Sequence, residues 1–140
     1  MSQFVIMRVA VTVARLLLGI LFFVVGINGF LMFLPPPPPG TLPSGAVALS
    51  TAFAQSGYLM QLAMGTQVVA AILLLSDQFV PLALALLAPV IVNIIAFHLF
   101  LWRGGSLPMG VLALGLEIFL AWAYGPSFRP MLARRAERRA

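Results

Sequence analysis

Apolar residues gather into four long stretches along this chain: Val11 to Leu34, Tyr58 to Leu75, Pro81 to Leu101 and Pro108 to Tyr124. Each holds about 17 to 24 residues, enough at 1.5 Å per residue to cross a hydrocarbon core of roughly 30 Å. The breaks between them are chemically distinct. Pro35 to Pro39, closed by Gly40, cannot continue a helix and favours extended polyproline backbone. Ser76-Asp77-Gln78 reads as a short turn, with Pro81 suited to the first turn of the next helix. Arg103-Gly104-Gly105-Ser106 reads as a second turn ahead of Pro108, and Gly125-Pro126 stops the last helix. Only the first connection is long. Within it, Val47, Leu49, Ala52 and Phe53 fall at the spacing of a short amphipathic helix from Ser44 to Ser56, suited to a membrane interface. The pattern predicts an all-α protein: four transmembrane helices in one bundle, a short interfacial helix between the first and second, and a basic tail from 126 to 140. All of residues 1–140 belong to that single membrane domain.

Composition points the same way. The chain is 62% hydrophobic and 8% charged, whereas a soluble domain is about half apolar and a quarter charged. Too little polar surface remains to coat a globule in water. Arg8 and Arg15 precede an apolar run that starts at Leu16, as in a signal peptide. The run from Leu16 to Leu34 is too long for a signal core and no small-x-small cleavage site follows it, so it reads as a retained helix. The absence of cysteine rules out a disulfide relay, a CxxC pair, thiolate zinc sites and cysteine-ligated clusters within the chain. No HExxH, GxSxG, P-loop or dinucleotide fingerprint occurs, and no metal site is expected.

The formal charge is +5, and all eight basic residues are arginines. Arginines clustered without a groove or aromatic stacking platform point to membrane orientation and anionic lipid rather than nucleic acid. Arg8 and Arg15 flank the start of the first span; Arg129, Arg134, Arg135, Arg138 and Arg139 follow the fourth. The positive-inside rule puts both termini in the cytoplasm, which an even number of spans also requires. The turn at Asp77 is then cytoplasmic without a basic residue of its own.

Polar groups at membrane depth are costly and mark the candidate site. Glu117 is the tenth residue of the fourth span, Gln67 the tenth of the second, and Asn93 the thirteenth of the third, so the three share a depth. A buried network of one carboxyl and two carboxamides is expected, offering hydrogen bonds to a ligand. Pro89 frees the Ala85 carbonyl nearby and kinks the third span. Asn28 and His98 are secondary candidates nearer the outer side, where Trp102 and Tyr58 suit an aromatic belt. His98 is five residues from Asn93, about 140° around the helix. Arg15 is a further candidate, placed to snorkel to head groups. The simplest alternative for Asn28, Gln67 and Asn93 is interhelical hydrogen bonding. A single histidine cannot supply both axial ligands of a haem.

Arg15-Leu-Leu-Leu-Gly19, Gly26-Ile-Asn28-Gly29-Phe30, the proline-rich link, Gly57-Tyr58-Leu59, Pro89-Val-Ile-Val-Asn93-Ile, Phe97-His98-Leu-Phe100 and Glu117-Ile-Phe-Leu-Ala-Trp122-Ala-Tyr124 follow one another in a familiar order. From Arg15 to Pro130 the chain resembles the DoxX family of small four-helix membrane proteins. The resemblance implies the same bundle in a bacterial or archaeal inner membrane, and an association with membrane redox complexes. Similar proteins form the membrane subunit of a thiosulfate:quinone oxidoreductase. Family members often carry a lysine and a glutamate three residues apart on the second helix, where Met64 and Gln67 stand here.

Three functions follow as expectations. The first is an accessory subunit of a quinone-linked redox complex, with Gln67, Asn93 and Glu117 toward a quinone head group and no catalysis by the chain alone. The second is a structural or assembly subunit packing on other membrane proteins or on itself through its glycine and alanine faces. The third is a small-solute or proton pathway, against which the single intramembrane carboxyl and the lack of an inverted repeat both count.

Overall fold

The computed structural model describes residues 2–138, all helical or irregular and without strand; Arg139 of the basic tail lies outside them. Helix α1 (Gln3–Leu31) is followed by α2 (Ser44–Gln55), α3 (Leu59–Leu75), α4 (Val80–Phe100) and α5 (Leu107–Ala123), then a single turn α6 (Gly125–Phe128) and a 3₁₀ turn at Arg129–Leu132. Two helices, α1 and α4, are long and apolar enough to cross a membrane. Two bent pairs raise the number to as many as four if each is one span: α2 with α3, at 88°, and α5 with the segment to Leu132, at 81°.

Local chemistry sets these bounds. Helix α1 starts well before Val11, because nothing in Gln3 to Ala10 breaks a helix, and Arg8 covers the Phe4 ring at 4.4 Å. It stops before the polyproline run because Met32 turns left-handed, at φ 51°. Asn28 closes that turn twice: its carbonyl accepts from Met32 N at 2.8 Å and its side-chain Oδ1 from Leu34 N at 2.7 Å. These bonds satisfy carbonyl and amide groups that a helix end otherwise leaves open. Helices α4 and α5 both start on prolines in their first turn, where the missing N–H costs nothing. The α3–α4 turn is tight, with Asp77 at φ 56° and Phe79 at φ 50°.

Helix α2 packs through Ala46, which is fully buried, while Val47 and Leu49 stay exposed. The face used is thus offset from the one the apolar spacing marks.

Four helices form a ring in which α1 touches α3 and α5, and α4 touches the same two. Leu18, Phe22, Leu74, Leu87, Ile91 and Leu120 fill its middle. The α1–α3 contact is the closest, because glycines remove side chains from it. A Cβ on Gly26 would lie 2.8 Å from Val68 Cγ2 and 3.1 Å from the Met64 carbonyl oxygen; one on Gly19 would lie 2.9 Å from Leu75. Gly29 likewise leaves room for the Met64 side chain. The outside is the reverse of a soluble bundle. Leu17, Ile20, Leu62, Val69, Val92, Leu112 and Ile118 all point outward and are exposed, an apolar belt that water would penalise heavily.

Candidate functional site

Gln67 and Glu117 are both buried, at 4% and 7% exposure. Gln67 Nε2 donates to Met64 Sδ at 3.7 Å, one turn back on its own helix. Gln67 Oε1 and Glu117 Oε2 are buried without a hydrogen-bond partner among the described residues. Their helices, α3 and α5, occupy opposite corners of the ring. An unmatched buried oxygen costs about 1–3 kcal/mol, so both positions are under tension that a ligand, a water or a proton would relieve.

Asn93 does not join them. It is exposed on the outer surface of α4, as is Pro89 one turn earlier. The expected three-residue network is therefore corrected to two buried groups and one outward one. Counting along a helix gives height but not direction. Ile91, two residues before Asn93, is fully buried, and two residues are about 200° of rotation, so Asn93 must point away from the core.

Arg15 does not snorkel. It is 8% exposed, and its Nη1 donates to the Leu74 carbonyl at the end of α3. Its Nε lies 3.4 Å from Asp77 Oδ1 in the turn that follows. The Leu74 carbonyl is one of the orphan acceptors at a helix C-terminus, where a cation is also favoured by the dipole. Helices α1 and α3 are thus fastened at one end. Asp77, the acidic residue that orientation alone left unexplained, is the partner of Arg15; its place directly after an apolar helix was the available signal.

Asn28 is a capping residue, spent on the turn after α1. His98 is different. It is 8% exposed, and its Nδ1 lies 2.8 Å from the Ile94 carbonyl oxygen. Trp102 stacks on its ring at 5.8 Å between centroids, and Phe97 meets it edge-on at 5.4 Å. Gly105 gives room to this aromatic group: a Cβ there would strike both Trp102 and His98. His98 also lines a groove of about 640 Å³ between α1 and α5, with Ser106 at the same end and Ile20, Val25, Met109 and Ala113 along its length. Among the described residues no cluster of side chains could hold a metal ion.

No family model, no curated protein and no solved structure matches this chain.

Proposed function

We propose that the chain is a four-span membrane subunit, with both termini in the cytoplasm, that serves as an accessory part of a larger membrane complex of the quinone-linked redox kind its DoxX resemblance implies. In this reading α1, α3, α4 and α5 cross the bilayer. Helices α3 and α5 have 17 residues each, about 26 Å at 1.5 Å per residue, and the bent segments α2 and α6 lie along the two surfaces. The Arg15–Asp77 pair supports the orientation, since it supplies the cytoplasmic turn with its positive partner from α1.

The observation that carries the accessory role is Asn93. A carboxamide has two donors and an acceptor, and here it sits outward, seven residues before the end of a 21-residue apolar helix. Hydrocarbon cannot satisfy it, whereas a neighbouring transmembrane helix can. Exposed Pro89 beside it adds the Ala85 carbonyl as a second acceptor on that face.

The test is tagged full-length protein taken from native membranes in mild detergent. Stoichiometric recovery of one larger complex, reduced at least fivefold by Asn93→Leu at equal expression, is the expected result. Recovery as a lone chain, or a complex indifferent to Asn93, would sink the reading. Because the chain has no cysteine, single cysteines placed at Thr41, Ser76, Gly104 and Ser127 report topology cleanly. Labelling of Thr41 and Gly104 from outside and of Ser76 and Ser127 from inside supports four spans; any other pattern overturns it.

A further inference from the structure

The groove between α1 and α5 has a chemistry that the accessory role does not use. Its long walls are apolar, but one end carries two polar groups, His98 and Ser106. The His98 ring is held firmly: Nδ1 faces the Ile94 carbonyl at 2.8 Å, and Trp102 stacks on its face. A carbonyl oxygen only accepts, so Nδ1 is the N–H side of the ring. In the neutral imidazole the proton is then absent from Nε2, which presents a lone pair. Nε2 makes no hydrogen bond among the described residues. A histidine that is nine-tenths buried therefore keeps an open acceptor beside a groove of about 640 Å³, a volume within the range of small-molecule sites. The Ser106 side chain, at the start of α5, makes no capping hydrogen bond either.

The direction of the groove matters as much as its lining. His98 is near the end of α4, Ser106 precedes α5, and Leu34 follows α1; these three mark the same end. Ile20 and Ala113 lie further along α1 and α5, toward mid-helix. Polar groups thus lie at the membrane surface and apolar ones at depth, matching the gradient of the bilayer itself.

We infer that this groove binds a membrane-soluble amphiphile whose hydroxyl head donates a hydrogen bond to His98 Nε2 while its apolar tail runs between α1 and α5. The proposal rests on the chain being membrane-embedded, but not on its being part of a larger complex. A hydroxyl is required because the waiting atom is an acceptor: a ketone or ether head of the same shape places an acceptor against an acceptor. Phenols and hydroquinones meet the requirement, and so do long-chain alcohols. Phospholipid acyl chains fill the apolar part without engaging His98.

The test uses full-length protein in nanodiscs, with Trp122→Phe leaving Trp102 as the single tryptophan beside His98. The probe is a 4-alkylphenol brominated on its tail, since bromine quenches tryptophan at contact, with its methyl ether and the matching brominated alcohol as companions. Saturable quenching by the phenol, displaced by unbrominated phenol and weakened at least tenfold in the ether, is expected. His98→Leu should abolish saturation. Val25→Phe, which fills the groove from a 37% exposed position and leaves His98 in place, should abolish it too and guards against a variant that misfolds. Saturable binding of the alcohol extends the class to aliphatic hydroxyls; phenol binding alone restricts it to aromatic heads. Equal affinity for the ether, quenching that only follows bulk partitioning, or saturation that survives both variants would overturn the proposal. Topology is read separately, from the cysteine labels in intact cells, so failure of membrane embedding is told apart from failure of binding.

Discussion

Arg15 on α1 and Asp77 in the α3–α4 turn form an ion pair at 3.4 Å, and the same guanidinium caps α3 through the Leu74 carbonyl. The two partners are unequal. Arg15 is 10% exposed at its side chain and Asp77 61%. Removing Asp77 leaves Arg15 with its carbonyl, whereas removing Arg15 opens both bonds and strands the buried Leu74 carbonyl.

Arg15→Leu should therefore destabilise the protein by about 2–3 kcal/mol, in the range for stranding a buried polar group. Asp77→Asn should cost about 1 kcal/mol or less, as expected of a half-exposed pair. Reversible unfolding of purified protein in mixed micelles measures the difference. Equal losses would show that the carbonyl contact contributes nothing.

Two glycines, Gly26 inside the α1–α3 interface and Gly65 outside it, predict a contrast. Gly26→Ala puts a methyl against Val68 and the Met64 backbone, an overpacking expected to cost about 1–3 kcal/mol. Gly65→Ala, on α3 with nothing within 4 Å of the new atom, should be neutral or stabilising by up to about 1 kcal/mol through helix propensity. Thermal midpoints of the two variants in one detergent decide it, and a neutral Gly26→Ala would mean that the helices separate without penalty.

At the end of α1, Asn28→Ala removes the acceptor of the Leu34 amide. A loss of about 0.5–1.5 kcal/mol is expected for one intramolecular hydrogen bond. Hydrogen exchange should show it locally, with Leu34 and Met32 amides exchanging faster and the α3–α4 turn unchanged. Uniform acceleration along the chain would assign Asn28 a wider role.

The unmatched oxygens of Gln67 and Glu117 predict the opposite sign. Gln67→Met removes a buried acceptor without a partner and keeps the volume, so stability should hold or rise by about 1 kcal/mol. Glu117→Gln keeps the shape and should leave folding intact. If either change lowers stability by more than about 2 kcal/mol, that oxygen has a partner from outside the chain, a bound water or ligand being the first to seek by native mass spectrometry.

The helices themselves were plain in the sequence. Polyproline, the Ser76–Gln78 turn and the prolines at 81 and 108 are local devices, and the structure places helix ends within a residue or so of most of them. The start of α1 was not, since no residue from Gln3 to Ala10 marks a boundary. Position along each apolar stretch singles out Gln67, Asn93 and Glu117, and two of the three, Gln67 and Glu117, are buried. It failed for Asn93, whose direction depends on which side of α4 meets the bundle. The joint use of Arg15 and Asp77 was also hidden, because nothing local pairs residues so far apart in the chain. The groove at His98 is a property of two helices that pack less closely than their neighbours, and no single stretch of sequence records that.

The Arg15 clasp has a consequence for biogenesis. Its acceptor, the Leu74 carbonyl, is synthesised 59 residues after the arginine. Until α3 and the turn after it have been made, the arginine has neither of its partners, so the clasp belongs to the finished bundle and not to the growing chain. The end of α1 is fastened last, although it is made first.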